Sequence, residues 1–116
     1  MAETSRDFCY IENTVQMNLL AVTTDNDEAT DQVYNVALND RTSLNKLYQM
    51  IEDRLIQRMQ GLEKKEPIYR DFRVGDVRHS QANIGKAKTL LNYQPKYVIS
   101  EGLDEAMDWY IGFLTK

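Results

Sequence analysis

The stretch "QVYNVAL", Gln32 to Leu38, places Val33, Tyr34, Val36 and Leu38 in a nearly continuous apolar run. Runs of that kind are usually strands covered on both faces, as in parallel sheets, so the spacing predicts an interior strand. Upstream, "RDFCYI" at residues 6–11 is aromatic-rich and reads as a short strand. A helix should follow it, because Val15, Leu19, Leu20 and Val22 recur at helical spacing and Asn13 or Thr14 can cap its open N–H groups. "TDNDEATD" has no apolar period and reads as a surface loop.

Downstream, Leu44, Leu47, Tyr48, Ile51, Leu55 and Met59 form one stripe of a helix from Ser43 to about Met59, with Thr42 or Ser43 as its cap. "QGLEKKEP" closes that helix as a solvated turn, and Pro67 opens an extended segment through Arg73. Asn83 can cap a short helix, Ile84 to Leu91, that stops before Pro95. The last helix, from about Ser100 to Leu114, carries Leu103, Met107, Tyr110 and Leu114 on one stripe. Trp109, Ile111 and Phe113 widen it beyond what one neighbour usually covers.

The order is that of an α/β chain with about three strands and four helices in a single domain, residues 1–116. So small a sheet leaves edges unpaired, and an interior-type strand in it suggests that part of the fold lies elsewhere. A net charge of -4 argues against nucleic acid or an anionic membrane as a partner, since both select a basic face. The single cysteine, Cys9, excludes an internal disulfide and a Cys-based metal site and suits a reducing compartment. With no secretion signal and no apolar run of about 18 residues, the chain reads as cytoplasmic.

The chemistry concentrates in "YRDFRVGDVRHS", Tyr69 to Ser80, which holds three arginines, two aspartates and the only histidine. Gly75 lets the backbone turn closely around a ligand, and Arg73 and Arg78 offer planar forks that match phosphate oxygens. Asp76 could accept hydrogen bonds from sugar hydroxyls. The competing reading is an ion-paired surface turn. His79 reads as a hydrogen-bonded loop histidine, since one histidine builds neither a metal site nor a triad. The glycines are too scattered for a phosphate-cradling loop.

Taken together, "RDFCYIENTVQMNLLA", "QVYNVALNDRTSLNKL", "YRDFRVGDVRHSQANIGKAKTLLNYQPKY" and "GLDEAMDWYI" resemble the C-terminal portion of extended short-chain dehydrogenase/reductases that act on nucleotide sugars. Among these, the UDP-N-acetylglucosamine 4-epimerases of bacterial surface polysaccharide synthesis are most similar. The resemblance runs from about Glu3 to Phe113. It implies that Arg6 and Arg73 hold the diphosphate of a UDP-sugar and that Asp76 bonds the uridine ribose. Asn13 and Asn83 stand where the family has aspartate, and both keep the capacity to cap. Asn39 and Asn92 stand where the subgroup tends to have glycine, and asparagine tolerates positive φ.

In that family an N-terminal Rossmann domain binds NAD and supplies a Tyr-x-x-x-Lys pair. None of the seven tyrosines here is followed by lysine four residues on, and no glycine fingerprint occurs. The resemblance therefore implies a fragment that lacks most of the Rossmann sheet, holds no cofactor and is no enzyme as an isolated chain. Apolar faces that lost their neighbours would drive self-association as a homo-oligomer through the exposed strand and helix faces. A UDP-sugar is the other partner expected, with weak binding. Two rival readings are a ligand-free interaction protein that pairs with itself or a full-length epimerase, and half of an enzyme completed by a separate Rossmann chain.

Overall fold

The computed structural model describes residues 3–115. Four helices carry the fold: α1 (Ile11–Thr23), α2 (Leu44–Arg58), α3 (Gly85–Leu91) and α4 (Ile99–Leu114), with a 3₁₀ turn at Asp27–Ala29 inside the expected loop. Among the described residues the only sheet is a two-residue antiparallel pair, β1 (Ser5–Arg6) with β2 (Thr42–Ser43), registered Ser5 to Ser43 and Arg6 to Thr42. A parallel bridge from Ser5 to His79 brings in a third segment, with Ser5 N donating to Arg78 O (2.9 Å) and Ser80 N to Ser5 O (3.1 Å). The fold is α/β with four helices as expected, but its strand content is far smaller than three full strands.

"QVYNVAL" is the main correction: residues 32–38 join no ladder. They keep a strand's alternation, with Tyr34 and Val36 packed on the core and Val33 84% exposed. Side chains take the place of a neighbouring strand: Lys86 Nζ donates to Val33 O (3.0 Å), the Tyr93 hydroxyl to Ala37 O (2.9 Å), and Leu38 N to the Asp7 carboxylate (3.0 Å). Backbone groups must find partners, and here side chains are the nearest ones. "RDFCYI" contributes only Arg6 to a strand, and residues 67–73 form none.

The helices match their expected spans closely, but their orientation was less readable. On α1 the buried residues are Asn13 and Met17, with Leu20 packed against the core, whereas Val15, Leu19 and Val22 face outward beside Ile11. Asn13 does not cap. Fully buried, its Nδ2 donates to Tyr97 O (2.8 Å) while its Oδ1 accepts from Lys96 N and Tyr97 N, pinning α1 to the 96–97 segment. An aspartate could accept those two bonds but not donate the third. Ser43 caps α2 as expected, its hydroxyl accepting from Lys46 N (3.1 Å). Asn83 Oδ1 accepts from Gly85 N (2.9 Å) at the start of α3. Asn39 and Asn92 adopt φ of +58° and +56°, the left-handed conformation their side chains tolerate.

The core is small: Met17, Ala29, Ile84, Ala87, Leu91 and Tyr93, under Leu20, Tyr34 and Val36. Cys9 is half-buried beside it. From this body α2 and α4 extend as a side-by-side pair, joined by Arg54, which donates to Asp104 (2.7 Å) and to Ser100 O and Oγ, and by Arg58 to Asp108 (3.2 Å). Gly102 seats α4 against α1's entry, because a Cβ there would lie 2.7 Å from that of Tyr10. The radius of gyration is 17.3 Å, against about 13 Å for a compact domain of this length. So open a body leaves much apolar surface uncovered.

Candidate functional site

β1 sits between β2 and the segment 78–80, so Arg6 emerges beside the turn that follows Phe72. That turn closes with Asp76 N donating to Arg73 O (3.1 Å), and Gly75 takes φ +82° at its third position, which a type II turn requires and a side chain would strain. The turn aims Asp76 back at the strand. Arg6 Nη2 bonds one carboxylate oxygen of Asp76 at 2.9 Å and Arg73 Nη2 the other at 3.3 Å. Arg6 also donates through Nη1 to Ser5 O (2.7 Å).

The three residues expected to contact ligand are thus brought into one cluster with Asp76 at its centre. Their exposures differ in a way that matters. Arg6 and Asp76 are 29% and 23% exposed, so their pair is partly shielded, whereas Arg73 is 83% exposed and its pair is loosely held in water. Two guanidinium groups and one carboxylate leave one net positive charge, presented by a side chain that can swing outward. The arrangement can therefore receive an anion on Arg73 at little cost, and on Arg6 only by displacing Asp76.

The neighbouring polar residues serve the scaffold. His79 Nδ1 shares a 2.6 Å hydrogen bond with the Ser5 hydroxyl, in keeping with the loop-histidine reading. Arg78, read as a second phosphate fork, instead lies over the Phe72 ring at 4.6 Å. Asp7 reads in the sequence only as Arg6's neighbour in the Arg-Asp-Phe strand start, yet it organises the surroundings: Oδ1 accepts from Leu38 N (3.0 Å), and Oδ2 from Asp40 N (3.2 Å) and Ala82 N (3.1 Å). No local pattern marks such a residue, because its three partners lie at least 31 residues away.

Buried Tyr93 is the most perturbed acid of the region. Burial first, then the nearby Cys9 and Asp7, push its hydroxyl up to about 12. A cavity of about 560 Å³ lies elsewhere, between α2 and residues 64–69, lined by Tyr48, Glu52, Lys64 and Tyr69 among others; Arg6, Arg73 and Asp76 do not line it. Two of its charged side chains already have partners, Lys64 on Asp53 (3.2 Å) and Glu52 on Lys65 N (2.9 Å). Among the described residues no group of three or more His, Cys, Asp or Glu side chains could hold a metal, and no helix is long and apolar enough to cross a membrane.

No protein-family model matches the chain. Individual proteins do. UDP-glucuronate 4-epimerase 5 of Arabidopsis thaliana is 31% identical over 121 residues, covering 96% of this chain and 27% of its own length. The crystal structure of UDP-glucose 4-epimerase from Thermotoga maritima, holding UDP-glucose, superposes with a TM-score of 0.79 at 31% identity, covering 97% of this chain and 33% of that one. UDP-N-acetylglucosamine 4-epimerase from Methanobrevibacter ruminantium, in complex with UDP-N-acetylmuramic acid, gives a TM-score of 0.75 at 30% identity with the same coverage. The homologues and structural neighbours of this chain are UDP-sugar 4-epimerases of the extended short-chain dehydrogenase/reductase family, and the chain spans about a third of their length.

Proposed function

We propose that these residues are the nucleotide-sugar-binding portion of a UDP-sugar 4-epimerase, with Arg73 and Arg6 directed to the diphosphate and Asp76 to the ribose of the uridine. The observation that carries this reading is the convergence of Arg6, Arg73 and Asp76 on one turn. It occurs in a chain whose relatives include UDP-glucuronate, UDP-glucose and UDP-N-acetylglucosamine 4-epimerases. Those relatives differ in the sugar, so uridine diphosphate is the shared ligand; an N-acetylhexosamine is the sugar to which the sequence resemblance points.

The 116 residues contain neither a Tyr-x-x-x-Lys pair nor a dinucleotide fingerprint, so by themselves they turn over no UDP-sugar. Binding by the isolated chain is weak for a reason visible in the cluster. An incoming diphosphate competes with Asp76 for both arginines, and the hexose gains no contact from them. Titration followed by backbone amide resonances is the test. UDP should shift residues 73–79 and Arg6 with millimolar affinity, pyrophosphate should reproduce part of that pattern, and Arg73→Ala should remove it. Shifts that avoid this turn, or that persist unchanged in Arg73→Ala, would overturn the reading.

A further inference from the structure

We propose that the outer face of α4, with the groove it forms against α2, is a two-fold contact between copies of this chain. The groove is a cavity of about 480 Å³ whose lining, apart from Tyr110 and Thr115, is aliphatic or methionine, including Leu55, Met59 and Leu62 from α2 and its exit. Small-molecule sites need a few polar groups to orient their ligand, and the walls here offer almost none. An apolar side chain is what fits.

The same helix carries one. Trp109 and Phe113 stack face to face, centroids 5.1 Å apart and planes within 6°, and stand 62% and 57% exposed. At 100° per residue they lie just beyond Ala106 and Tyr110, so the protruding stack borders the groove on one continuous apolar arc. A projection and a hollow on one face are self-complementary under a two-fold axis, each copy's stack entering the other's groove. With aromatic side chains carrying roughly 150–250 Å² each, the exposed parts of Trp109, Tyr110, Phe113 and Leu114 amount to roughly 500 Å² per copy. That is about 1,000 Å² in total, the size at which specific association begins. The outward stripe of α1 is also apolar, but none of its residues lines this groove.

Trp109 is the only tryptophan, so its emission reports on this face alone. Sedimentation equilibrium from micromolar to millimolar chain should show a mass rising from 13.5 kDa to twice that and levelling there, with Trp109 emission moving to shorter wavelength in step. Phe113→Glu should weaken association at least about thirtyfold, as for a residue at an interface centre. Phe113 is exposed in the monomer, so unchanged helical circular dichroism shows that the fold survives. Leu19→Glu, on α1, should leave the dimer intact. A monomer throughout the range, a mass that never levels, or association abolished by Leu19→Glu and not by Phe113→Glu would each overturn the proposal.

Discussion

The junction around β1 and the α2–α4 pair solve opposite problems. At the junction, segments distant in sequence are held by polar groups: Asp7 gathers three amides and Asp76 two guanidinium groups, much as Asn13 pins α1 through a carbonyl and two amides. In the helix pair, periodicity supplies abundant apolar surface, and the two arginine bridges along one flank leave the other flank open. Hydrogen bonds are directional and saturate, so these groups of the junction find their partners within one chain. Apolar burial is non-directional and scales with area, so the helix pair gains from any further surface that covers it.

The sharpest way to break this contrast is to remove Asp7. Asp7→Ala leaves three backbone N–H groups without their charged acceptor, which should cost about 3 kcal/mol and lower Tm by on the order of 10 °C in thermal melts. A Tm within about 2 °C of the parent would show that the junction is held by something else.

Next in size is the response to alkali. With the Tyr93 hydroxyl pushed up to about 12 by burial and by the nearby Cys9 and Asp7, the unfolded chain releases that proton near pH 10 and the folded chain only later. Tyr93 therefore stabilises the fold fully below pH 10, and its contribution is lost as pH rises toward 12. Denaturant melts of Tyr93→Phe should show a smaller fall over that window, at a cost near neutrality of about 1 kcal/mol for the lost bond to Ala37 O. An unchanged alkaline slope would refute this.

The smallest effect separates the two arginines. Arg73→Ala should change stability by less than about 0.5 kcal/mol, since its ion pair is mostly in water. Arg6→Ala should cost about 1 kcal/mol, because it also removes a shielded bond to Ser5 O. Equal losses in chemical denaturation would mean that Asp76 does not distinguish them.

Periodicity made α1, α2, α3 and α4 readable to within a residue or two, and the resemblance, whose subgroup tends to have glycine at positions 39 and 92, made Asn39 and Asn92 readable as left-handed positions. The Arg-x-Gly-Asp turn was also legible, because Gly75 and the i, i+3 pairing of Arg73 with Asp76 are local facts. "QVYNVAL" misled for the complementary reason: its composition reports that it is extended and half-covered, not that another strand lies beside it. The face of α1 was misread because Val15, Leu19 and Val22 form a good stripe, while the buried positions include an asparagine whose partners are 83 and 84 residues away.

The sequence by itself determined where the helices run, which residues cap α2 and open α3, and that arginine and aspartate gather on one glycine turn, because each depends on neighbours within a few positions. Only the tertiary structure decided that Arg6 reaches the same carboxylate as Arg73, that Asp7 ties three segments, and that residues 32–38 bond to side chains. Those outcomes depend on which distant groups arrive within about 3 Å of one another, the distance at which a hydrogen bond exists at all.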